Sequence, residues 1–584
     1  MKNAIYIFTL IVSFSSSTCF SAGYLSSDAK KKTGAEYLII TPDVFIPSLQ
    51  PLKQFRIRQG ISTVVVGTSV TGSNFTNIKA YINDAYNTWQ IPPVSVLLVG
   101  DHHLLPSGIW NNYALSDNLY ADMNGDDLPD LFIARIPVTT GFELDQTINR
   151  NISAETDPVS DPYYYEHPLA CTDFSQTQST GWMVAEIFNG FYSQVLNKNP
   201  ERQYVGTVTP STWPDAALLQ LFGPEGLGYI PESPEYLSGF SGGSAAGINN
   251  ALNAGAMTFF CINNQGNETG FSSPAYQNAD LAGLNGPPDF FISVNSLNGK
   301  FNYSNTNCLA ESYLKNNHAG IGVIAASDVI YSTGSEWFTF GVIDGLWDEF
   351  YPAYENPDGN EFKRPCQALM NAKYFLYSLP FSINPQIKQT FYHLFHYFGE
   401  PYSVLFTEVP QDLQVLHPEF IVPDQTEIMI TADSGAFIAV VKGEEIQGTY
   451  HATGYPVVYQ IPSMVTGDSL HITVTRQNFR RYHAAIPCLL NNSIGELTGN
   501  ETMCVFPNPA GEKLHICWSQ SLSGNVSFDI CNLYGEKVFG YQSLTEQPGI
   551  RQMALDVSGW ENGVYFLTSH DGKCLITRKL LISK

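Results

Sequence analysis

Between Asp122 and Asp130 oxygen-bearing groups recur at every second position: the side chains of Asp122, Asn124 and Asp126, the carbonyl of Leu128 and the side chain of Asp130. Hard cations such as Ca²⁺ take about six to eight oxygens on a tight turn, and Gly125 permits the turn. Three carboxylates and an amide brought together repel unless a cation or wide solvation offsets them. The segment therefore reads as a structural Ca²⁺ loop or as a solvated acidic turn. A second set of polar residues stands where apolar runs stop, at Gly100-Asp101, Asn263-Asn264-Gln265 and Asn295-Ser296. Functional groups of open parallel sheets gather at such carboxyl ends.

The runs that position these groups are Tyr37 to Thr41, Thr63 to Gly67, Val94 to Gly100, Leu131 to Ala134, Leu169 to Thr172, Met257 to Ile262, Phe290 to Ser296 and Gly320 to Ala326. Most are apolar at consecutive rather than alternate positions, as strands covered by helices on both faces must be. An α/β sheet over about residues 36–405 is expected. Beyond Gly399-Glu400-Pro401 the pattern alternates, as in Glu427 to Thr431, Ala436 to Val441, Val457 to Ile461 and Ser469 to Thr475. Period-two patterning broken by Asp433-Ser434-Gly435 and Thr466-Gly467-Asp468 predicts a small β-sandwich over 406–490. A polar stretch, 491–502, reads as a linker, and 503–584 as another small all-β unit.

Composition narrows the function classes. Lys and Arg number 29 against 54 Asp and Glu, a net charge of −25 in 584 residues, so the excess cation that nucleic-acid binding needs is missing. With 44 % hydrophobic and only 14 % charged residues the chain has ordinary cores rather than disorder. Residues 1–22 have the order of a secretory signal peptide: Lys2, an apolar run from Ala4 to Phe14, then small residues through Ala22. A lipoprotein signal at Cys19 lacks the usual aliphatic residue before it. No other run approaches the ~20 apolar residues of a transmembrane segment, so an exported protein is expected. The cysteines are scattered without CxxC or zinc spacing, and most read as small buried hydrophobes.

The C-terminal unit carries Val505-Phe506-Pro507-Asn508-Pro509-Ala510, Leu514-His515-Ile516, Leu533-Tyr534-Gly535-Glu536-Lys537-Val538 and Gly563-Val564-Tyr565-Phe566-Leu567. It resembles the C-terminal sorting domain of the type IX secretion system. That resemblance implies the type IX machinery as a partner and passage across the outer membrane. The α/β region resembles the gingipain family of secreted cysteine peptidases. The resemblance is carried by Leu97 to Asp101, Ser116-Asp117-Asn118-Leu119-Tyr120, Asp130 to Arg135, Gln265-Gly266-Asn267-Glu268-Thr269, Ser296-Leu297-Asn298-Gly299, Cys308-Leu309-Ala310-Glu311 and Phe398-Gly399-Glu400-Pro401. It implies a caspase-like fold followed by an Ig-like sandwich.

Within these motifs the family places a catalytic histidine before Gly-x-Glu-Thr and a nucleophilic cysteine before a hydrophobic residue and Asn-Gly. Here those positions hold Gln265 and Ser296. A serine needs a base in hydrogen-bond reach, and a glutamine amide accepts no proton at neutral pH. The resemblance further implies an oxyanion hole from the N–H groups of Gly266 and Ser296, an acidic orienting residue at Asp130 and a substrate pocket near Trp337, which reads equally as a packing residue. The expectation is a secreted family member without peptidase activity that binds a peptide or protein at the cleft. Two alternatives stand beside it: an active endopeptidase using Ser296 with His102, His103 or another base, and a surface adhesin acting through the Ig-like domain. Active gingipains carry a long inhibitory N-terminal segment, and here the first strand begins at Tyr37, which fits a chain with no activity to restrain.

Overall fold

The computed structural model describes residues 33–489 and 503–584, apart from 177, 263–264, 303–305, 355–360, 380–382, 521–523, 546–548 and 571–574. The leader 1–22 and the linker 491–502 lie outside the described residues. The α/β part contains, in chain order, β1 (Tyr37–Thr41), β2 (Thr63–Gly67), β3 (Ser95–Val99), a hairpin of β4 (Gly108–Trp110) and β5 (Ala114–Ser116), β6 (Phe132–Ile136), β7 (Leu169–Asp173) and β8 (Glu201–Val205). There follow β9 (Thr258–Ile262), the short antiparallel strands β10 (Gly266–Asn267), β11 (Gly270–Ser272) and β12 (Ala275–Gln277), then β13 (Phe290–Val294), β14 (Gly322–Ala326) and β15 (Phe395–Gly399).

Ten of these strands form one sheet in the order β2-β1-β3-β6-β15-β14-β13-β9-β7-β8. Every residue of β1, β3, β9, β13, β14 and β15 is buried, the signature of strands covered on both faces. On one face helix Gly181–Gln194 packs Phe188, Phe191 and Tyr192 against Phe260 and Trp347. On the other, Phe259 and Phe291 stack at 4.5 Å and Tyr313 closes over them. The Tyr163-Tyr164-Tyr165 run belongs to the short helix Pro162–Glu166, with Tyr164 and Tyr165 buried in the core.

One feature of the sheet departs from a uniformly parallel reading. β15 runs parallel to β6 but antiparallel to β14, pairing Gly322 with Gly399 and Ala326 with Phe395. The sheet is therefore two parallel halves of opposite direction. Carboxyl ends of β9, β13 and β14 share an edge with the amino ends of β6 and β15. The carboxyl end of β3 lies at the opposite edge.

After β15 two antiparallel sheets, one with Val415–Leu416, Glu427–Ala432 and Val457–Gln460, the other with Phe437–Lys442, Glu445–His451, Ser469–Thr475 and Tyr482–Pro487, share a core of Ile430, Ile438, Val440 and Ile472. The C-terminal unit repeats the plan with three-stranded and four-stranded antiparallel sheets around Leu514, Ile516, Phe528, Ile530 and Leu567.

Candidate active-site cleft

β9 and β13 are parallel neighbours in register, Val294 opposite Ile262, so the segments that leave them emerge side by side. Gly266 sits directly against the Ser296 backbone: a Cβ there would lie 2.3 Å from Ser296 O and 3.1 Å from Ser296 N. Only glycine allows that approach. Gln265 is exposed and lies in the left-handed region, with φ 48°. Its carbonyl accepts a hydrogen bond from Ser272 Oγ at 3.3 Å. The structure thus brings Gln265, Gly266 and Ser296 together at one sheet edge.

Asn298 fixes the loop that carries Ser296. It is fully buried, its Nδ2 donates to Asn267 O and Gly270 O at 2.7 Å each, and its Oδ1 accepts from Ser293 Oγ at 2.7 Å. One amide therefore joins the end of β13 to the hairpin that begins after Gln265. Leu297, at φ 68°, donates its N–H to Asp328 O, and Gly299 N donates to Ala326 O, so the loop is also pinned to the end of β14.

Ser296 Oγ accepts a hydrogen bond from Ile330 N at 3.1 Å, and among the described residues no imidazole bonds to it. A serine hydroxyl needs a general base in hydrogen-bond reach to lose its proton during attack, and the neighbouring Gln265 amide is not one. The Ser296 N–H has no backbone acceptor among the described residues.

The other candidates are placed elsewhere or already engaged. His102 and His103 follow the carboxyl end of β3, which the reversal at β15 puts at the edge away from the ends of β9 and β13. His102 Nδ1 accepts from Ser107 N at 3.2 Å and its ring packs edge-on against Phe301, while His103 bonds to Asp101. Neither is hydrogen-bonded to Ser296. Cys261 is fully buried beside Cys171 and its thiol is pushed well above the ordinary range by burial. Cys308, capping helix Leu309–Lys315, is likewise pushed up by burial and by Glu311. Neither presents a thiolate. Cys171, Cys261, Cys308, Cys366 and Cys488 are buried free thiols, and Cys531 is a partly buried one.

Two histidines that the sequence did not single out lie at the correct edge. His393, two residues before the start of β15, is fully buried between Ser116 Oγ, 3.0 Å from Nδ1, and Asp127 Oδ1, 2.9 Å from Nε2. Trp110 stacks on it at 4.9 Å. His396 Nε2 accepts from Asp117 N at 3.0 Å, its Nδ1 lies 2.8 Å from Leu394 O, and burial pushes its pKa down to about 4. Both rings are saturated. Asp117 also takes the buried Arg135 guanidinium at 2.7 and 2.8 Å, tying the loop before β6 to β6 itself.

In the acidic turn each side chain engages the turn's own amides. Asp122 accepts from Gly125 N and Asp127 N, Asn124 from Asp126 N, Asp126 from Leu128 N, and Asp130 from Met123 N at 2.7 Å. Leu128 is buried. Among the described residues no three acidic or imidazole side chains converge to hold a metal ion. The turn closes on its own N–H groups, each of which takes one lone pair of a loop oxygen. Asp130 is occupied in that turn. Trp337, on helix Ser335–Asp344, is partly buried against the core, edge-on to Phe340 at 5.5 Å.

Residues 30–406 match peptidase family C25, and residues 504–583 match the secretion system C-terminal sorting domain. Lys-gingipain W83 of Porphyromonas gingivalis is 20 % identical over 509 residues, covering 83 % of this chain and 27 % of that protein. Lys-gingipain HG66 of the same organism is 19 % identical over 469 residues, 76 % of this chain and 25 % of that protein. The chain spans about a quarter of the length of the curated relatives it matches. Among solved structures, the complex of Porphyromonas gingivalis RgpB pro- and mature domains gives a TM-score of 0.64 at 18 % identity, covering 78 % of this chain and 100 % of that one. The Arg-specific cysteine proteinase gingipain R gives 0.64 at 17 % identity, covering 79 % and 100 %. At such identities the likeness shows a shared fold, the caspase-like one of gingipains.

Proposed function

Because this chain belongs to peptidase family C25, we propose that it is a member disarmed at both reacting groups, which holds a peptide or protein segment in its cleft without cleaving it. The sorting-domain match at 504–583 makes it a protein exported to the cell surface or beyond. The observation that carries the proposal is Ser296 Oγ accepting from Ile330 N, with Gln265 as its neighbour across Gly266 and no imidazole bonded to it among the described residues. A positioned acid–base group is worth about 10²–10⁴ in rate, so losing base and thiol together leaves the cleft its donors and its shape. The Gly266 and Ser296 N–H groups then serve as carbonyl anchors rather than as transition-state donors.

The proposal is tested by equilibrium binding of a broad peptide library to the full chain and to Ser296→Trp, which fills the cleft. Binding lost in the variant supports it. Binding that survives unchanged moves the ligand off the cleft and overturns it.

A further inference from the structure

A cavity of about 550 Å³ lies between the α/β part and the β-sandwich that follows it. It is a fixed gap. Lys363 N donates to Gln477 Oε1 at 2.9 Å, Gln477 Nε2 to Leu405 O at 2.8 Å and Thr407 N to Asn478 Oδ1 at 2.9 Å. At Gly60, on the cavity wall with φ 85°, a Cβ would meet Thr449 Cγ2 of the sandwich at 2.5 Å. Two units locked this closely leave the space between them by design of their side chains rather than by loose docking.

The lining is what distinguishes it. Four guanidiniums face the gap, those of Arg56, Arg364, Arg476 and Arg481, in a chain with only 29 basic residues and a charge of −25. Arg56 is saturated: Glu155 takes it at 2.6 and 2.8 Å, and Glu400 and Gln59 take its remaining donors. The other three form no ion pair with any described carboxylate, and Arg481 Nη2 donates to Thr473 Oγ1 at 3.3 Å. Arg364 Nε and Arg481 Nε are buried without a hydrogen-bond partner. Arg364 instead stacks between Phe362 and Tyr402 at 5.0 and 5.1 Å, Arg481 lies over Phe55 at 4.7 Å, and Arg476 over Phe479 at 4.6 Å. The carboxylates on the wall do not fill the need. Glu361 pairs with His451 at 3.5 Å, and Glu36, whose carboxyl burial pushes up to about 7 against the pull of the Arg364 charge, makes no ion pair with it.

Guanidinium donors left unmet at a partly dry site are costly unless an oxyanion takes them, and the planar fork suits the two oxygens of a carboxylate or phosphate. The walls between the arginines are apolar, with Ile61, Val94, Phe132, Phe406 and Phe437 among them. Convergent charge inside an aromatic shell of this volume is the construction of a small-molecule site. We propose that this interdomain gap binds a small organic oxyanion, a carboxylate or phosphate carried on an aromatic or aliphatic body. The site is separate from the cleft and does not depend on how the cleft works. An occupant would bridge Arg364 of one unit to Arg476 and Arg481 of the other and so stiffen the junction.

The test is calorimetric titration of the full chain with 3-phenylpropionate, phenyl phosphate, inorganic phosphate and the neutral 3-phenylpropanamide. One of the two aromatic anions is expected to bind with Kd below about 1 mM, and the tighter one names the headgroup. The amide and inorganic phosphate are expected to bind at least about tenfold more weakly, since each lacks half of the recognition. Arg364→Gln is expected to weaken the anion by about tenfold or more. Arg481→Gln and Arg476→Gln provide the same reading if Arg364→Gln does not fold, with circular dichroism as the check on folding. No binding of either anion, equal binding of the amide, or affinity unchanged in folded variants overturns the proposal.

Discussion

Replacing Asn298 by alanine removes three hydrogen bonds of 2.7 Å at once, those to Gly270 O and Ser293 Oγ buried and that to Asn267 O partly buried. Each such bond contributes about 1 kcal/mol net, and each buried group left unpaired costs about 1–3 kcal/mol. The Gly270 carbonyl and Ser293 hydroxyl are in buried residues, so water recovers little of the loss. Asn298→Ala should therefore destabilise the α/β unit by about 3–5 kcal/mol, at the upper end of single substitutions. Asn298→Asp keeps the acceptor for Ser293 but aims a buried carboxylate at two carbonyl oxygens, and should fare no better. Urea unfolding of the full chain measures the loss, and hydrogen exchange locates it. Exchange should rise first in 266–272 and 296–301, the two segments that this side chain joins. A loss below about 1 kcal/mol with unchanged exchange in those segments would refute the claim that one amide holds the two halves of the cleft together.

Breaking the buried Arg56–Glu155–Glu400 cluster by Arg56→Met leaves two carboxylates without their cation and should cost about 3–5 kcal/mol in the same unfolding assay. His396, beside Asp117, Arg135 and Lys373, has its folded pKa held near 4 by burial. An unfolded histidine takes a proton near pH 6.5, so the stability that His396 contributes is complete above that value and falls by about 3 kcal/mol as pH drops towards 4. The stability difference between the natural chain and His396→Asn should shrink over that window and stay flat above pH 7. For the acidic turn, closed on its own amides, transfer from calcium to chelator should leave the melting temperature unchanged, whereas a resident Ca²⁺ would lower it on removal.

Much of this architecture is legible in the chain because buried parallel strands leave unbroken apolar runs. Tyr37 to Thr41, Thr63 to Gly67 and Phe290 to Val294 fall where the runs place them. Two strands escape. Glu201–Val205 is a polar edge strand, and Phe395–Gly399 follows helix Pro385–Leu394 without a breaking residue, so its aromatics read as a continuation of the helix. Missing β15 has a consequence for the site, because β15 is where the sheet reverses. Without it, His102 and His103 look as though they share an edge with Ser296. Motif order locates Gln265, Gly266 and Ser296, yet the residues that hold them are visible only in three dimensions. Ile330 reaches Ser296 across 34 positions, and His393 meets Asp127 across 266. The acidic spacing from Asp122 to Asp130 is real, but amides of the turn compete for the same oxygens, and spacing alone does not say which partner wins. Guanidiniums gathered without carboxylate partners in a gap between two units leave no local pattern at all.

The most direct measurement is peptide-bond cleavage on a broad peptide library by the full chain, beside Gln265→His/Ser296→Cys and Ser296→Ala. The account predicts that the natural chain is silent and that the double variant cleaves, because the strand ends and the Gly266 contact already set the geometry. Cleavage by the natural chain that is lost in Ser296→Ala would contradict it and establish a serine-dependent peptidase.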